Sequence, residues 1–256
     1  MGILKNTLAI VSVIYSVGVF ACDVQADKAF PSLLTENGVV VFDEAPIEKE
    51  PGDASADEQI GIEVSFVSCS DGAKKLIGKL PFLADTGKVR AAFFARAGQD
   101  AKESLFVIHS VNIRSDTGVK YSGDYYTVHV YQDSANGYVR DERLSTYFGN
   151  GGDILSDDYK DLVHVFPYKS ESSIIEKLVS TSYKSWYVGA PVDLTINKKT
   201  SIHSSPVLAD VTRMYLVAGD KVKQEGVEAG WLSIMFKTPK GKEIRGWIKC
   251  ENAGGC

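Results

Sequence analysis

The chain has no surplus of positive charge: 28 lysines and arginines stand against 33 aspartates and glutamates, for a formal net charge of −5. Nucleic-acid binding normally rests on a basic patch that offsets phosphate charge, so this balance argues against it. Histidine is scarce, with four in 256 residues. His109, His129 and His164 fall in separate segments without His-x-x-x-His or Glu-x-x-His spacing, so no metal centre or general base is assembled locally. They read as satisfied strand histidines, and no metal or cofactor is expected. Beyond the first twenty residues there is no apolar run long enough to cross a bilayer. The glycine-rich stretch Tyr147-Phe148-Gly149-Asn150-Gly151-Gly152-Asp153 has no Gly-Lys-Ser after it, which excludes a phosphate loop. It reads as a structural turn first and a partner-binding loop ending in Asp153 second.

What is present is an ordinary globular composition, 44% hydrophobic and 24% charged, which excludes disorder of the whole. Lys5, the apolar run Leu8 to Phe20 and the small residues of Val24-Gln25-Ala26 together read as an export signal over residues 1–26. The protein is therefore expected in the periplasm or outside the cell. Val19-Phe20-Ala21-Cys22 offers a competing reading as a lipobox, with a lipid anchor on Cys22. Export permits disulfides. Without Cys22 three cysteines remain, an odd number. Cys250 and Cys256, separated by a glycine-ended loop, are the first candidate pair, and Cys69 with one of them is the alternative.

Along the mature chain, residues 27–59 combine three prolines and an acidic cluster with one apolar patch, Val39 to Phe42, and read as an arm, one strand and a loop. Alternation of Ile60, Ile62, Val64 and Phe66 predicts a strand with one buried face, followed by strands at Arg90 to Ala97, Leu105 to Ile113 and Tyr125 to Tyr131. Asn136-Gly137 predicts a hairpin. Asp141 is placed to cap a short helix ending at Gly149, and Ser173 with Glu176 has capping-box spacing for a longer one carrying Ile175, Val179 and Tyr183. Residues 60–190 thus read as an α+β domain, an antiparallel sheet with one or two helices.

Residues 191–256 bring short strand-like segments separated by turns. They contain Leu216-Val217-Ala218-Gly219-Asp220-Lys221-Val222, then Gly230-Trp231-Leu232, then Gly246-Trp247-Ile248. This order of motifs resembles the bacterial SH3-like (SH3b) family. The resemblance implies a small β-barrel that binds cell-wall peptide or protein, with Tyr215, Trp231 and Trp247 as groove aromatics. Where that family has an Arg-Ser-Gly-Pro-like turn, this chain has His203-Ser204-Ser205-Pro206, so a ligand contact by that arginine does not carry over.

Other constellations favour structure over chemistry. Cys69 before Ser70-Asp71-Gly72 lacks a strong cationic neighbour for a reactive thiolate. The adjacent acids Asp157-Asp158 and Asp141-Glu142 point apart on any regular element, so each pair supplies at most one carboxylate to glycoside chemistry. Tyr121, Tyr125, Tyr126, Tyr131 and Tyr138 read as sheet packing before binding face. The functional expectation is a non-enzymatic binding protein of the bacterial envelope, recognising peptidoglycan peptide or a protein through its aromatic residues and Asp153. The alternative is a periplasmic immunity or inhibitor protein that blocks a delivered toxin or hydrolase.

Overall fold

A computed structural model describes residues 29–47, 59–83, 85–98, 102–113, 118–134 and 137–254. The export signal, Cys22, Asn136 and Cys256 lie outside the described residues.

The strongest apolar run, Leu105-Phe106-Val107-Ile108, sits in β6 (Ser104–Asn112), whose first eight residues are all buried. In a strand successive side chains point to opposite faces, so a continuous apolar run needs cover on both. Leu105 and Val107 belong to one apolar cluster, and Phe106 and Ile108 to another. The fold supplies a layer for each.

β6 lies between β5 and β7 in a sheet ordered β10-β9-β7-β6-β5, built from β5 (Lys88–Ala95), β7 (Tyr121–Ser134), β9 (Asn150–Leu155) and β10 (Leu162–His164), with β8 (Gly137–Arg140) also pairing with β7. One face meets a four-stranded sheet of β1 (Phe30–Leu34), β2 (Gly38–Pro46), β3 (Ile60–Ser68) and β4 (Lys74–Lys79). Val40 and Phe42 of β2 and Ile62 and Val64 of β3 pack there with Leu105, Val107 and Tyr131. The segment read as an arm, one strand and a loop contributes two of the four strands, and the expected strand at Val39 to Phe42 lies in β2.

The other face is covered by α1 (Glu142–Phe148), α2 (Glu171–Val179) and α3 (Thr181–Tyr187). Tyr147, Phe148, Ile174, Leu178 and Tyr183 enter the cluster that holds Phe93, Phe106 and Val130. The same cluster continues into the third sheet through Leu194, Ile202, Leu232, Ile234 and Ile248. That sheet runs β13-β12-β16-β15-β14-β11-β17, from β11 (Val192–Ile196), β12 (Thr200–His203), β13 (Val211–Leu216), β14 (Lys221–Glu228), β15 (Trp231–Lys237), β16 (Glu243–Lys249) and β17 (Ala253–Gly254).

The α+β expectation is thereby overturned: strand makes up 55% of the described residues and helix 14%, in three sheets with three helices. The helices only cap one face of the central sheet. The C-terminal strands form one seven-stranded antiparallel sheet whose core is continuous with the rest, in place of a separate small barrel. Two further corrections concern α2 and its neighbours. The N-cap is Ser170, with Ser173 as its capping-box partner, and the expected single long helix breaks at Ser180. Ser180 is extended and its side chain accepts from the Tyr183 amide at 3.2 Å, so it ends one helix and starts the next. This turn of register buries Ile174 and Leu178 and leaves Ile175 and Val179 exposed.

The Asp141 helix forms as expected, Asp141 accepting from the Leu144 amide at 2.9 Å and Gly149 closing it at φ 60°. Gly149 does a second thing: an added Cβ there would stand 2.7 Å from that of Ala229, so only glycine lets α1 approach the third sheet so closely. The glycines that follow enter β9 and form no loop.

Candidate functional site

Alternation along β7 puts Tyr125, Thr127, His129 and Tyr131 on the face turned toward the four-stranded sheet. Tyr131 is covered by that sheet and buried. β4 ends at Lys79, so further along β7 the cover is lost and a cleft of about 620 Å³ opens. Tyr121, Tyr125, Thr127 and His129 form its floor, Lys79, Arg140 and Asn150 its polar rim, and Pro81, Leu83, Ile113 and Val119 an apolar wall. Tyr121 and Tyr125 meet edge to face at 5.5 Å. The Tyr125 hydroxyl donates to the side-chain oxygen of Asn150. Among the described residues, no carboxylate lines the cleft.

The protonation of His129 follows from its neighbour. Arg140 Nη1 lies 2.9 Å from Nδ1. A guanidinium can only donate, so Nδ1 holds the lone pair and Nε2 carries the hydrogen. His129 is 3% exposed, and its Nε2 has no protein partner among the described residues. Burial, then the charge of Arg140 and the nearby His109, push its pKa down to about 3. On β6, His109 donates from Nε2 to the Thr86 carbonyl at 3.0 Å, and burial lowers its pKa as well. Its Nδ1 is an unpartnered acceptor, as Nε2 of His129 is an unpartnered donor.

Lys79 pairs with Glu63 at 3.2 Å and Arg140 with Glu142 at 3.0 Å, both partly exposed. Such pairs contribute about 0–1 kcal/mol, so either cation can turn to a ligand at small cost. Comparison with protein-family models, curated proteins and solved structures finds no match.

A second cavity of about 440 Å³ lies between α2 and the β15–β16 end of the third sheet, lined by His164, Glu176, Lys177, Lys249 and Glu251 among others. Burial lowers the Lys177 amine to about 8, and it donates to Ser182 Oγ at 3.3 Å. Its charges are mixed, whereas the described residues lining the β7 cleft present hydrogen-bond donors and aromatic surface.

The residues named from sequence are scattered. Trp231 is 3% exposed, packed edge to face on His203 at 4.9 Å and tilted against His164 at 5.7 Å. Trp247 is half-buried and pairs with His203 across the β12–β16 ladder. Tyr215 is 57% exposed on β13, with Lys199 over its ring at 4.4 Å. Asp153 accepts from Lys169 Nζ at 2.6 and 2.8 Å and from the Phe166 amide at 3.0 Å, which ties β9 to the segment before α2. These positions do not meet in one site. Cys69 and Cys250 are both disulfide-bonded, and no free cysteine occurs among the described residues. No group of three or more metal-ligating side chains occurs among them either, and none of their helices is long and apolar enough to cross a membrane.

Lys79, Thr127, Arg140 and Asn150 were not singled out by sequence reasoning, because four separate strands bring them together. The available signal was the spacing of Tyr125, Thr127 and His129, every second residue of one strand.

Proposed function

We propose that this is an exported, non-enzymatic binding protein of a bacterial envelope, which recognises a peptide chain of the cell wall or of a protein partner in the β7 cleft. The observation that carries this reading is the cleft itself: about 620 Å³, floored by Tyr121 and Tyr125 and rimmed by donors. Tyrosines bury large area at low entropic cost, and ligand sites join apolar lining to a few placed polar groups. The non-enzymatic part is supported by how nitrogens of three of the four histidines are used. His109 and His203 each donate to a backbone carbonyl, at 3.0 and 3.1 Å, and His129 accepts from Arg140. The envelope assignment draws on the export-like first 26 residues and on the Gly-Trp motifs that resemble bacterial SH3-like domains.

The test is co-sedimentation of the purified mature protein with peptidoglycan, beside capture of envelope proteins by the same protein immobilised. Wild type is expected to be retained by one of the two, and Tyr125→Ala to lose retention with an unchanged melting temperature. Retention of the variant at the wild-type level removes the cleft from the reading. New products from purified wall fragments overturn the non-enzymatic part.

A further inference from the structure

We propose that the cleft takes the free C-terminal carboxylate of a peptide that ends in an apolar side chain. This rests on the binding reading above and names the chemistry of its ligand. The cleft is two-sided: Lys79 and Arg140 stand on the polar rim, and Pro81, Leu83, Ile113 and Val119 form the apolar wall. Leu83 is 42% and Val119 40% exposed, so the wall offers apolar area to a ligand side chain. A molecule that satisfies both carries an anionic head beside an apolar body.

The size of the charge is bounded by the pairs already present. Glu63 and Glu142 neutralise Lys79 and Arg140 from outside the lining. With each cation beside one acid, the local charge is close to balanced, which suits a single carboxylate held by hydrogen-bond donors better than a dianionic phosphate. Donors are there: Arg140 gives one N–H to His129 and one to Glu142, which leaves three of a guanidinium's five. A forked carboxylate matches that geometry.

His129 supplies a further observation: it lines the cleft and accepts from Arg140 Nη1 at 2.9 Å, which holds the guanidinium in place at the rim. Thr127 and Asn150 add neutral polar groups to the lining, which suits a ligand with peptide amides beside its carboxylate and disfavours a plain hydrocarbon tail.

The probe is acetyl-Gly-Ala-Leu with a free carboxylate, titrated into the mature protein by calorimetry beside its C-terminal amide, inorganic phosphate and octanoate. The free acid should bind at least tenfold more tightly than each of the three. Arg140→Gln should lose that preference while the melting temperature holds; Lys79→Gln, on the opposite strand, gives the same test if Arg140→Gln does not fold. Equal binding of acid and amide overturns carboxylate recognition, and so does preference for phosphate or octanoate. No binding of any probe by a protein still retained on peptidoglycan or an envelope protein also overturns it, and leaves the broader binding reading standing.

Discussion

Lowering the pH from 7 to 4.5 should weaken the fold, and His129 should account for a measurable share. Its imidazole has a folded pKa of about 3 against an ordinary 6.5, because it is buried and faces Arg140. In the unfolded chain it binds a proton below 6.5; in the native state it stays neutral until about 3. The unfolded state therefore holds more protons between these values, and stability is lost as pH falls through that window. At about 1.4 kcal/mol per pH unit, the loss by pH 4.5 is about 2.5 kcal/mol, and about 5 kcal/mol once the window is crossed. His109, His164 and His203 are also lowered, each chiefly by burial, and act in the same direction. The assay is urea unfolding at pH 7 and 4.5 for wild type and His129→Gln. The variant should lose about 2.5 kcal/mol less than wild type across the interval. An equal loss in both proteins would refute the buried, neutral His129.

Phe106→Ala should cost about 3–5 kcal/mol in urea unfolding, since Phe106 is fully buried between Phe93 at 5.4 Å and Phe148 at 5.6 Å. A cost below about 1 kcal/mol would contradict the closure of that face of the central sheet by the helices. Ser180→Ala removes the cap of α3 and should cost about 1 kcal/mol by the same measurement, with no loss indicating that α2 and α3 do not depend on the cap. Asp153→Asn weakens a half-buried ion pair with Lys169 and should cost about 1–2 kcal/mol while leaving peptide binding unchanged. Loss of binding at unchanged stability would instead make Asp153 a contact residue.

Local features were legible where one segment carries its own reason. Asp141 and Gly149 bracket a helix because cap chemistry is local, and Ile60 to Phe66 alternates because one face of that strand is buried. Strand pairing was not legible, since it joins residues far apart in sequence. Alternation in Leu105 to Ile113 shows one face with Leu105, Val107 and His109; Phe106 and Ile108, equally apolar, are buried on the other, and that second face is what demands a third layer. In the C-terminal region, β12 and β17 have four and two residues, too short to show a period. The Ser170 cap was missed because serine fills 170, 172 and 173 alike, and only geometry picks the one whose oxygen meets the N3 amide. The cleft escaped notice because tyrosines and a histidine on a strand are more often packing. Here β4 stops at Lys79 and leaves Tyr121 and Tyr125 only partly covered, an event in a different sheet.

The most direct test of the central claim, that the β7 cleft binds a peptide and does not transform it, is one calorimetric titration with the free-acid peptide followed by mass spectrometry of the recovered ligand. Saturable binding by wild type, loss of binding in Tyr125→Ala and an intact peptide are the predicted result. Unchanged binding in Tyr125→Ala, or a cleaved or modified peptide, would contradict it.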